Sequence, residues 1–131
     1  MTTCRTILVV EDDQMSRYLL VHQLARLGHK QVTAVTNGLE ALHWLDQNEC
    51  RLVLSDCQMP VMDGYEMTRR IRRREYNSGR HTPVIALSAG VLASDRASCI
   101  EAGMDDHIAK PVQLATLAAA LQPWLRDEDE A

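Results

Sequence analysis

Residues 7–13 of the chain read Ile7-Leu8-Val9-Val10-Glu11-Asp12-Asp13. The first four form a short, continuous apolar run rich in β-branched side chains, which is typical of a buried strand in a parallel sheet. The acidic residues that follow end the run, and Asp13 is also a residue type that begins helices. This stretch therefore predicts a buried first strand with a group of carboxylates at its carboxyl end.

Apolar runs and helical stripes alternate along the rest of the chain. Strand-like runs occupy residues 31–35, 52–55, 84–87 and 107–109. Helical stripes follow the strands, namely Leu20, Leu24 and Leu27, then Leu39, Leu42 and Leu45 (or Ala41 and Leu45), then residues 65–74 and 92–102, and finally Leu114, Leu117, Leu121 and Leu125. Strands that each precede a helix predict an α/β fold. We expect a flavodoxin-like, doubly wound, five-stranded parallel sheet of order 2-1-3-4-5 with helices on both faces.

Length and charge fit one globular domain. The chain has 131 residues, of which 46% are apolar and 24% are charged. Its net charge is −4, and four of its 18 acids are the tail residues Asp127-Glu128-Asp129-Glu130. The other 14 acids balance the 14 basic residues, so the chain lacks the basic excess of a non-specific nucleic-acid binder. We expect a domain over residues 5–125 and a charged, disordered tail over residues 126–131.

Export and membrane signals are missing from the sequence. No apolar run reaches the roughly 18 residues of a membrane helix, and the first residues do not follow a signal-peptide pattern. The cysteines are Cys4, Cys50, Cys57 and Cys99, which lie far apart in the chain. Disulfides between them would indicate secretion, but without an export signal free thiols in a reducing compartment fit better. We therefore predict a cytoplasmic domain that does not contact a membrane.

The carboxyl ends of the predicted strands carry an unusual set of polar residues. Glu11 and Asp12 follow the first strand, Asp56 the third, Ser88 the fourth and Lys110 the fifth. Function collects at the carboxyl ends of parallel strands, so these side chains should converge at one edge of the sheet. Each residue alone has an ordinary role, such as capping a helix, and the prediction depends on their combination.

The chemistry of this set indicates a metal and a phosphoryl group. Carboxylates brought close together repel each other unless a cation lies between them. Mg²⁺ takes oxygen ligands, uses one or two carboxylates, and leaves positions for water and phosphoryl oxygens. Asp56 is the best candidate for a covalent phosphate acceptor because it lies centrally, and Lys110 supplies a second positive charge.

Several motifs together resemble the receiver domain of two-component signalling proteins. They are Val9-Val10-Glu11-Asp12-Asp13, Leu54-Ser55-Asp56-Cys57-Gln58-Met59-Pro60-Val61-Met62-Asp63-Gly64, Ala86-Leu87-Ser88-Ala89, Gly103-Met104-Asp105-Asp106 and Lys110-Pro111. The resemblance covers about residues 5–125. The second and fourth motifs are most similar to receivers of hybrid sensor histidine kinases and phosphorelays.

The resemblance implies a role for each matching position. Asp56 would accept a phosphoryl group from a phosphohistidine. Mg²⁺, for which Mn²⁺ would substitute, would be held by Glu11, Asp12, the Asp56 carboxylate and the backbone carbonyl of Gln58. Ser88 would be the switch hydroxyl that turns toward the phosphoryl group.

The end of the fifth strand has a further implied role and one departure from the family pattern. Lys110 would contact a phosphoryl oxygen, with Pro111 in the cis-peptide position. The switch aromatic of the family, usually Tyr or Phe, is here His107, whose ring is smaller and titratable. We expect an inward His107 in the activated domain to be neutral and bonded to a backbone carbonyl.

Three residues near the acceptor invite further interpretation. Cys57 directly follows Asp56 and can be read as a reactive thiol or, with better support, as a small buried filler. Gln58 and Gly90 each lie two positions beyond a site residue. In the family such positions tune how fast water removes the phosphoryl group.

A basic run lies on the predicted third helix. It consists of Arg69, Arg70, Arg72, Arg73 and Arg74. The run can be read as a patch for an acidic partner or nucleic acid, or as the solvated face of a helix whose Met67 and Ile71 point inward. The rest of the chain is not basic, which favours the solvated face.

The resemblance implies a signalling function. Phosphorylation would shift a two-state equilibrium felt on the face formed by the fourth helix, the fifth strand and the fifth helix. The partner would be a sensor histidine kinase or a histidine phosphotransfer domain, without direct contact to nucleic acid. The domain would assist its own phosphorylation but would not be an enzyme on separate substrates, and its parent chain would fit a stand-alone regulator or a hybrid histidine kinase.

Two other classes fit the topology less well. A phosphatase with an aspartyl-phosphate intermediate needs an acid two residues after the nucleophile, where this chain has Gln58. A flavodoxin-like electron carrier needs a phosphate-cradling loop after the first strand. The carboxylates of Glu11, Asp12 and Asp13 would repel that phosphate.

Overall fold

The computed structural model describes residues 5–89 and 93–125. Cys4, Gly90 and the tail at 126–131 lie outside the described residues. The strands are β1 (Ile7–Val10), β2 (Val32–Val35), β3 (Leu52–Asp56), β4 (Val84–Ser88) and β5 (Asp106–Ala109). They form one parallel sheet of order β2-β1-β3-β4-β5, which confirms the predicted topology.

A helix follows each strand. The helices are α1 (Gln14–Arg26), α2 (Gly38–Leu45), α3 (Gly64–Glu75), α4 (Ala93–Ala102) and α5 (Leu114–Leu125). The side chains of Asp13, Asn37 and Asp63 accept backbone N–H groups and so begin the first three helices. α1 ends at Arg26, and Gly28 follows with a φ of +95°, a conformation that glycine adopts without strain.

Alternate residues of the central strands β1, β3 and β4 supply two separate hydrophobic clusters. Ile7 and Val9 face α1 and α5, which contribute Leu20, Leu24, Leu117 and Leu121. Leu8 and Val10 face the other way, where α2, α3 and α4 contribute Ala41, Leu42, Met67, Ile71 and Cys99. This alternation follows from the two-residue period of a strand. Helices packed on both faces hold the strands in register and thereby position the carboxyl ends of β1, β3, β4 and β5.

Arg72 of the basic run is structural, which corrects the prediction that this run is only a solvated face. The Arg72 side chain is only 20% exposed. It donates to the backbone oxygens of Thr82 and Gly103, each at 2.9 Å. Its guanidinium also pairs with Glu75 at 2.7 Å and with Asp105 at 2.8 Å. The run therefore contains a side chain that ties α3 to the loops before β4 and β5.

Membrane-spanning helices and disulfides are both absent from the described ranges. None of the helices there combines the length and the apolar character that a membrane crossing requires. Cys50, Cys57 and Cys99 form no disulfide there, as predicted.

Candidate functional site

The parallel register brings the predicted site residues to one edge of the sheet. Asp56 ends β3 and pairs in register with Leu87 of β4. Ser88 ends β4, and it is buried beside Ala109 of β5. Glu11 directly follows β1, where its backbone N–H donates to Val35 of β2 at 3.1 Å.

Lys110 lies between two of the carboxylates. Its Nζ is 2.8 Å from Glu11 Oε1 and 3.1 Å from Asp56 Oδ2. Its backbone N–H donates to the oxygen of Ser88 at 2.9 Å, which fixes where the side chain begins. The Lys110–Pro111 peptide bond is cis, as the resemblance implied. The ammonium is thus the counter-charge of this edge.

Burial and hydrogen bonding shift the pKa values of Glu11 and Lys110 in opposite directions. Burial raises the pKa of Glu11, which is 1% exposed, and the hydrogen bonds from Lys110 and from the Asp13 N–H only partly offset this. Burial alone would lower the pKa of Lys110, but its hydrogen bonds with Glu11 and Asp56 outweigh burial and raise that pKa. Lys110 therefore remains an ammonium at neutral pH.

Three carboxylates form a cluster that suits a divalent cation. Glu11, Asp12 and Asp56 each place an oxygen within 4.8 Å of the others. Asp12 is exposed, and its carboxylate accepts no hydrogen bond from the described residues. Asp13 is turned away, because its carboxylate accepts the Ser16 N–H at 2.8 Å, a bond that lowers the pKa of Asp13. The three carboxylates outnumber the single Lys110 ammonium beside them, and hard oxygen donors of this kind are the ligands that Mg²⁺ takes.

The Asp56 carboxylate is held by the backbone around it. Its Oδ1 accepts the Cys57 N–H at 2.8 Å. The Ser55 hydroxyl donates to the Asp56 carbonyl oxygen at 2.8 Å, and the Gly64 N–H donates to the Cys57 carbonyl at 3.0 Å. A Cβ at Gly64 would lie 2.2 Å from the Asp56 carbonyl oxygen, so no other residue fits there without a shift of the backbone.

Gly64 is thus a positioning residue, although in the sequence it stands out only as the last residue of the motif around Asp56. Its contact with β3 comes from the loop folding back onto the strand, and spacing alone carries no sign of that approach. Val61 in the same loop has a φ of +71°, which is uncommon for a β-branched residue, and its side chain is 76% exposed. The Gly38 N–H donates to the Met62 carbonyl at 3.0 Å and anchors this strained loop to α2.

His107 lies on the face of the sheet that α3 and α4 cover. It pairs in register with Ala86, whose side chain belongs to the cluster on that face. Its Nε2 is buried without a hydrogen-bond partner among the described residues. The carbonyl bond expected for the activated domain is therefore not formed at Nε2 in this structure.

The structure decides between the two interpretations of Cys57 but leaves the role of Gln58 open. Burial raises the pKa of the Cys57 thiol to about 12, and the side chain belongs to the core, so Cys57 is the predicted buried filler and not a reactive thiol. Gln58 is exposed in the loop after β3, and the metal-binding role of its carbonyl stays a prediction.

A comparison with protein families identifies this arrangement. The model of the response regulator receiver domain matches residues 7–122. The chain belongs to this family. It is 44% identical over 115 residues to the sensor histidine kinase RcsC of Escherichia coli K12. This match covers 88% of this chain and 12% of RcsC. It is also 40% identical over 119 residues to hybrid signal transduction histidine kinase A of Dictyostelium discoideum, covering 89% of this chain and 6% of that protein.

Solved structures agree with this membership. The receiver domain of a sensor histidine kinase from Pseudomonas aeruginosa PAO1 is 38% identical, with a TM-score of 0.83, and covers 95% of this chain and 100% of its own. That structure holds a magnesium ion in its active site cleft. The receiver domain of Ssk1 from Saccharomyces cerevisiae, crystallised with the histidine phosphotransfer protein Ypd1, is 26% identical with a TM-score of 0.84. That match covers 92% of this chain and 88% of the yeast chain.

Proposed function

We propose that Asp56 of this receiver domain accepts a phosphoryl group from a phosphohistidine. The observation that carries the proposal is the Asp56 carboxylate at the sheet edge, 3.1 Å from the Lys110 ammonium and clustered with Glu11 and Asp12. A carboxylate acts as a nucleophile toward phosphorus when nearby positive charge offsets the charge of the phosphoryl oxygens.

The transfer exchanges one bond for another. A P–O bond forms to Asp56 as the P–N bond of the phosphohistidine breaks, and the electron pair of that bond stays on the imidazole nitrogen. The Cys57 N–H on Oδ1 fixes the plane of the Asp56 carboxylate. Lys110, already an ammonium beside Oδ2, would then contact a phosphoryl oxygen.

We propose that Glu11, Asp12, the Asp56 carboxylate and the Gln58 carbonyl hold Mg²⁺, with Mn²⁺ able to take its place. When bound, the ion supplies positive charge that offsets the negative charge of the phosphoryl oxygens. Asp12→Asn should weaken Mg²⁺ binding most, because this carboxylate accepts no hydrogen bond from the described residues. If millimolar Mg²⁺ changes neither the melting curve nor the amide NMR shifts near Asp56, the proposed metal site is wrong.

A labelling experiment tests the acceptor. Acetyl phosphate with Mg²⁺ should add one phosphoryl group, measured by intact mass and removable by hydroxylamine as an acyl phosphate is. Asp56→Asn should abolish this label. Asp46→Asn changes an exposed aspartate at the carboxyl end of α2 and should keep the label. A label that persists in Asp56→Asn, at a serine or a histidine, would refute the central proposal.

The output of the domain would be the face formed by α4, β5 and α5. Ser88 ends β4 beside this face, and its hydroxyl would turn toward the phosphoryl group. His107 lies two residues before Ala109, which pairs in register with Ser88. The His107 ring would then move into the space that the Ser88 hydroxyl leaves. This movement is supported by the buried, unbonded Nε2 of His107, since a different ring position can satisfy it.

The donor of the phosphoryl group would dock on α1. Met15, Tyr18 and Leu19 are exposed on this helix at helical spacing. Leu19 also lines a groove of about 390 Å³ that reaches Lys110 and Glu11. Exposed apolar area next to a reactive edge is typical of a protein-binding surface. We therefore propose a sensor histidine kinase or a histidine phosphotransfer domain as the partner.

Leu19→Asp should slow phosphoryl transfer from a histidine phosphotransfer domain by about tenfold or more. Labelling by acetyl phosphate should stay unchanged, because a small donor needs no docking surface. Ile100→Asp is a matched control, since Ile100 is an equally apolar, exposed residue on α4. Equal loss in the two variants would argue against docking on α1.

We propose a cytoplasmic domain that acts on no separate substrate and contacts neither nucleic acid nor membrane. The chain spans 12% of RcsC and 6% of the Dictyostelium kinase, and both are kinases, which supports a hybrid histidine kinase as the parent protein. We also propose the domain limits 5–125, with the acidic segment that follows as a separate tail.

A further inference from the structure

The amino-terminal edge of the sheet gathers basic residues. Ile7 pairs in register with Val32 of β2 and with Leu52 of β3, so the residues that precede these strands lie side by side. The Arg51 N–H donates to the Thr6 carbonyl at 2.7 Å, which fixes the contact between two of these segments. Arg5, Lys30 and Arg51 therefore come together from three different parts of the chain.

These basic residues line a pocket. Arg5, His29, Lys30 and Arg51 surround about 190 Å³, and none of the described residues that line this pocket is acidic. Lys30 is exposed and makes no hydrogen bond or ion pair with the described part of the chain. Burial lowers the pKa of His29, so the positive charge of this basic pocket comes from the two arginines and the lysine.

The chain itself supplies an acidic segment next to the basic pocket. Leu125 lines the pocket, and the residues Asp127-Glu128-Asp129-Glu130 begin two positions later. An extended segment of this length spans about 13–14 Å. Strands lie about 4.8 Å apart, so β2 to β3 is roughly 10 Å. Only Arg126 separates Leu125 from these acids, and so short a tether holds them at a high effective concentration near the pocket.

We propose that the acidic segment 127–130 docks in the basic pocket formed by Arg5, Lys30 and Arg51. The contact would fix the end of α5 to the sheet, where Arg51 Nε already donates to the Trp124 carbonyl at 3.4 Å. This edge is opposite the one that carries Asp56. The proposal therefore goes beyond the proposed phosphorylation and does not depend on it.

The test uses the full chain with a neutral tail of the same shape. This variant carries Asp127→Asn, Glu128→Gln, Asp129→Asn and Glu130→Gln. Compared with the wild type at low salt, the amide NMR shifts of residues 28–31 should change, and the apparent pKa of His29 should fall because nearby carboxylates are lost. His22 on α1 serves as the internal control and should change less. The differences should vanish at high salt, since the contact is ionic and exposed.

Charge reversal on the pocket side gives an independent measurement. Lys30→Glu should reproduce the loss of the tail contact, whereas Arg73→Glu makes the same charge change at an exposed site on α3 and should not. A synthetic peptide with the sequence of residues 126–131 should bind the neutral-tail variant at residues 28–31. It should bind the wild type far more weakly, because the tail already occupies the pocket.

Three outcomes would overturn the proposal. Suppose that the neutral-tail variant shows unchanged NMR shifts and an unchanged His29 titration. The basic residues of the pocket would then only offset the negative end of the α1 helix dipole. Equal peptide binding by both proteins would mean that the pocket takes acidic partners but not this tail. A difference that grows with protein concentration would mean that the tail docks on a second copy. Acetyl phosphate labelling should stay the same in every variant, which separates this proposal from that of the acceptor.

Discussion

Replacing Lys110 with methionine tests how the charges at the carboxyl edge are held. The change keeps much of the side-chain volume and removes an ammonium that bonds Glu11 at 2.8 Å and Asp56 at 3.1 Å. Breaking a fully buried pair costs about 3–5 kcal/mol. Glu11 is buried but Lys110 is 25% exposed, so water screens part of the loss, and we expect roughly 2–3 kcal/mol.

The loss should depend on pH in metal-free buffer. Burial already raises the folded-state pKa of Glu11, so the folded chain keeps this proton to a higher pH than the unfolded chain does. The stability contributed by such a group is present below the unfolded pKa and is lost as pH rises through the folded pKa. Without the Lys110 bond that folded pKa rises further. The destabilisation of Lys110→Met should therefore shrink as pH falls from about 7 to about 5.

Urea unfolding with and without Mg²⁺ measures both effects. At about ten times its Kd, a bound ion stabilises the folded state by about 1.4 kcal/mol. Mg²⁺ should stabilise Lys110→Met more than the wild type, because a competing cation is gone. Arg73→Met, which removes an exposed positive charge on α3, is the control. If Lys110→Met loses no more stability in metal-free buffer than this control, Lys110 is not the counter-charge of Glu11 and Asp56.

Three further changes test the loop and the switch. Val61→Asn should stabilise the domain by about 1 kcal/mol in urea unfolding, because Asn tolerates the left-handed conformation, and Val61→Thr should bring no gain. Gly64→Ala should destabilise by about 2–3 kcal/mol and slow labelling of Asp56, and a loss within error would show that the loop yields. His107→Tyr should enlarge the NMR shifts that beryllofluoride induces on α4, β5 and α5, since no ring nitrogen is left unbonded. Equal shifts in the wild type and in His107→Tyr would show that position 107 does not limit the switch.

The sheet and the reactive edge were predictable because both depend on short-range patterns. A continuous apolar run such as Ile7–Val10 suits a strand covered on both faces, and the following stripes have helical spacing. Once the strand order is known, the carboxyl ends must meet. That geometry places Glu11, Asp56 and Lys110 together without any knowledge of the loops between them.

Contacts that join distant loops were not predictable in the same way. Arg72 looked like one arginine of a solvated run, yet its bonds to Gly103 and Asp105 cross 31 and 33 positions of the sequence. No local pattern distinguishes it from Arg73, which is exposed. The tight approach of Gly64 to the Asp56 carbonyl likewise depends on how the loop after β3 folds back. Such contacts follow from tertiary packing, which spacing does not encode.

The cluster around Arg72 and the acidic cluster around Asp56 differ in how completely their charges are matched. Around Arg72, a single guanidinium meets Glu75, Asp105 and backbone carbonyls. At the carboxyl edge of the sheet, Glu11 and Asp56 share the ammonium of Lys110, and the neighbouring Asp12 carboxylate accepts no hydrogen bond from the described residues. Unmatched negative charge of this kind costs folding free energy. A bound cation would offset that charge, which is typical of a functional site. The imbalance, more than the number of charges, distinguishes a site built for chemistry from a clamp that holds loops together.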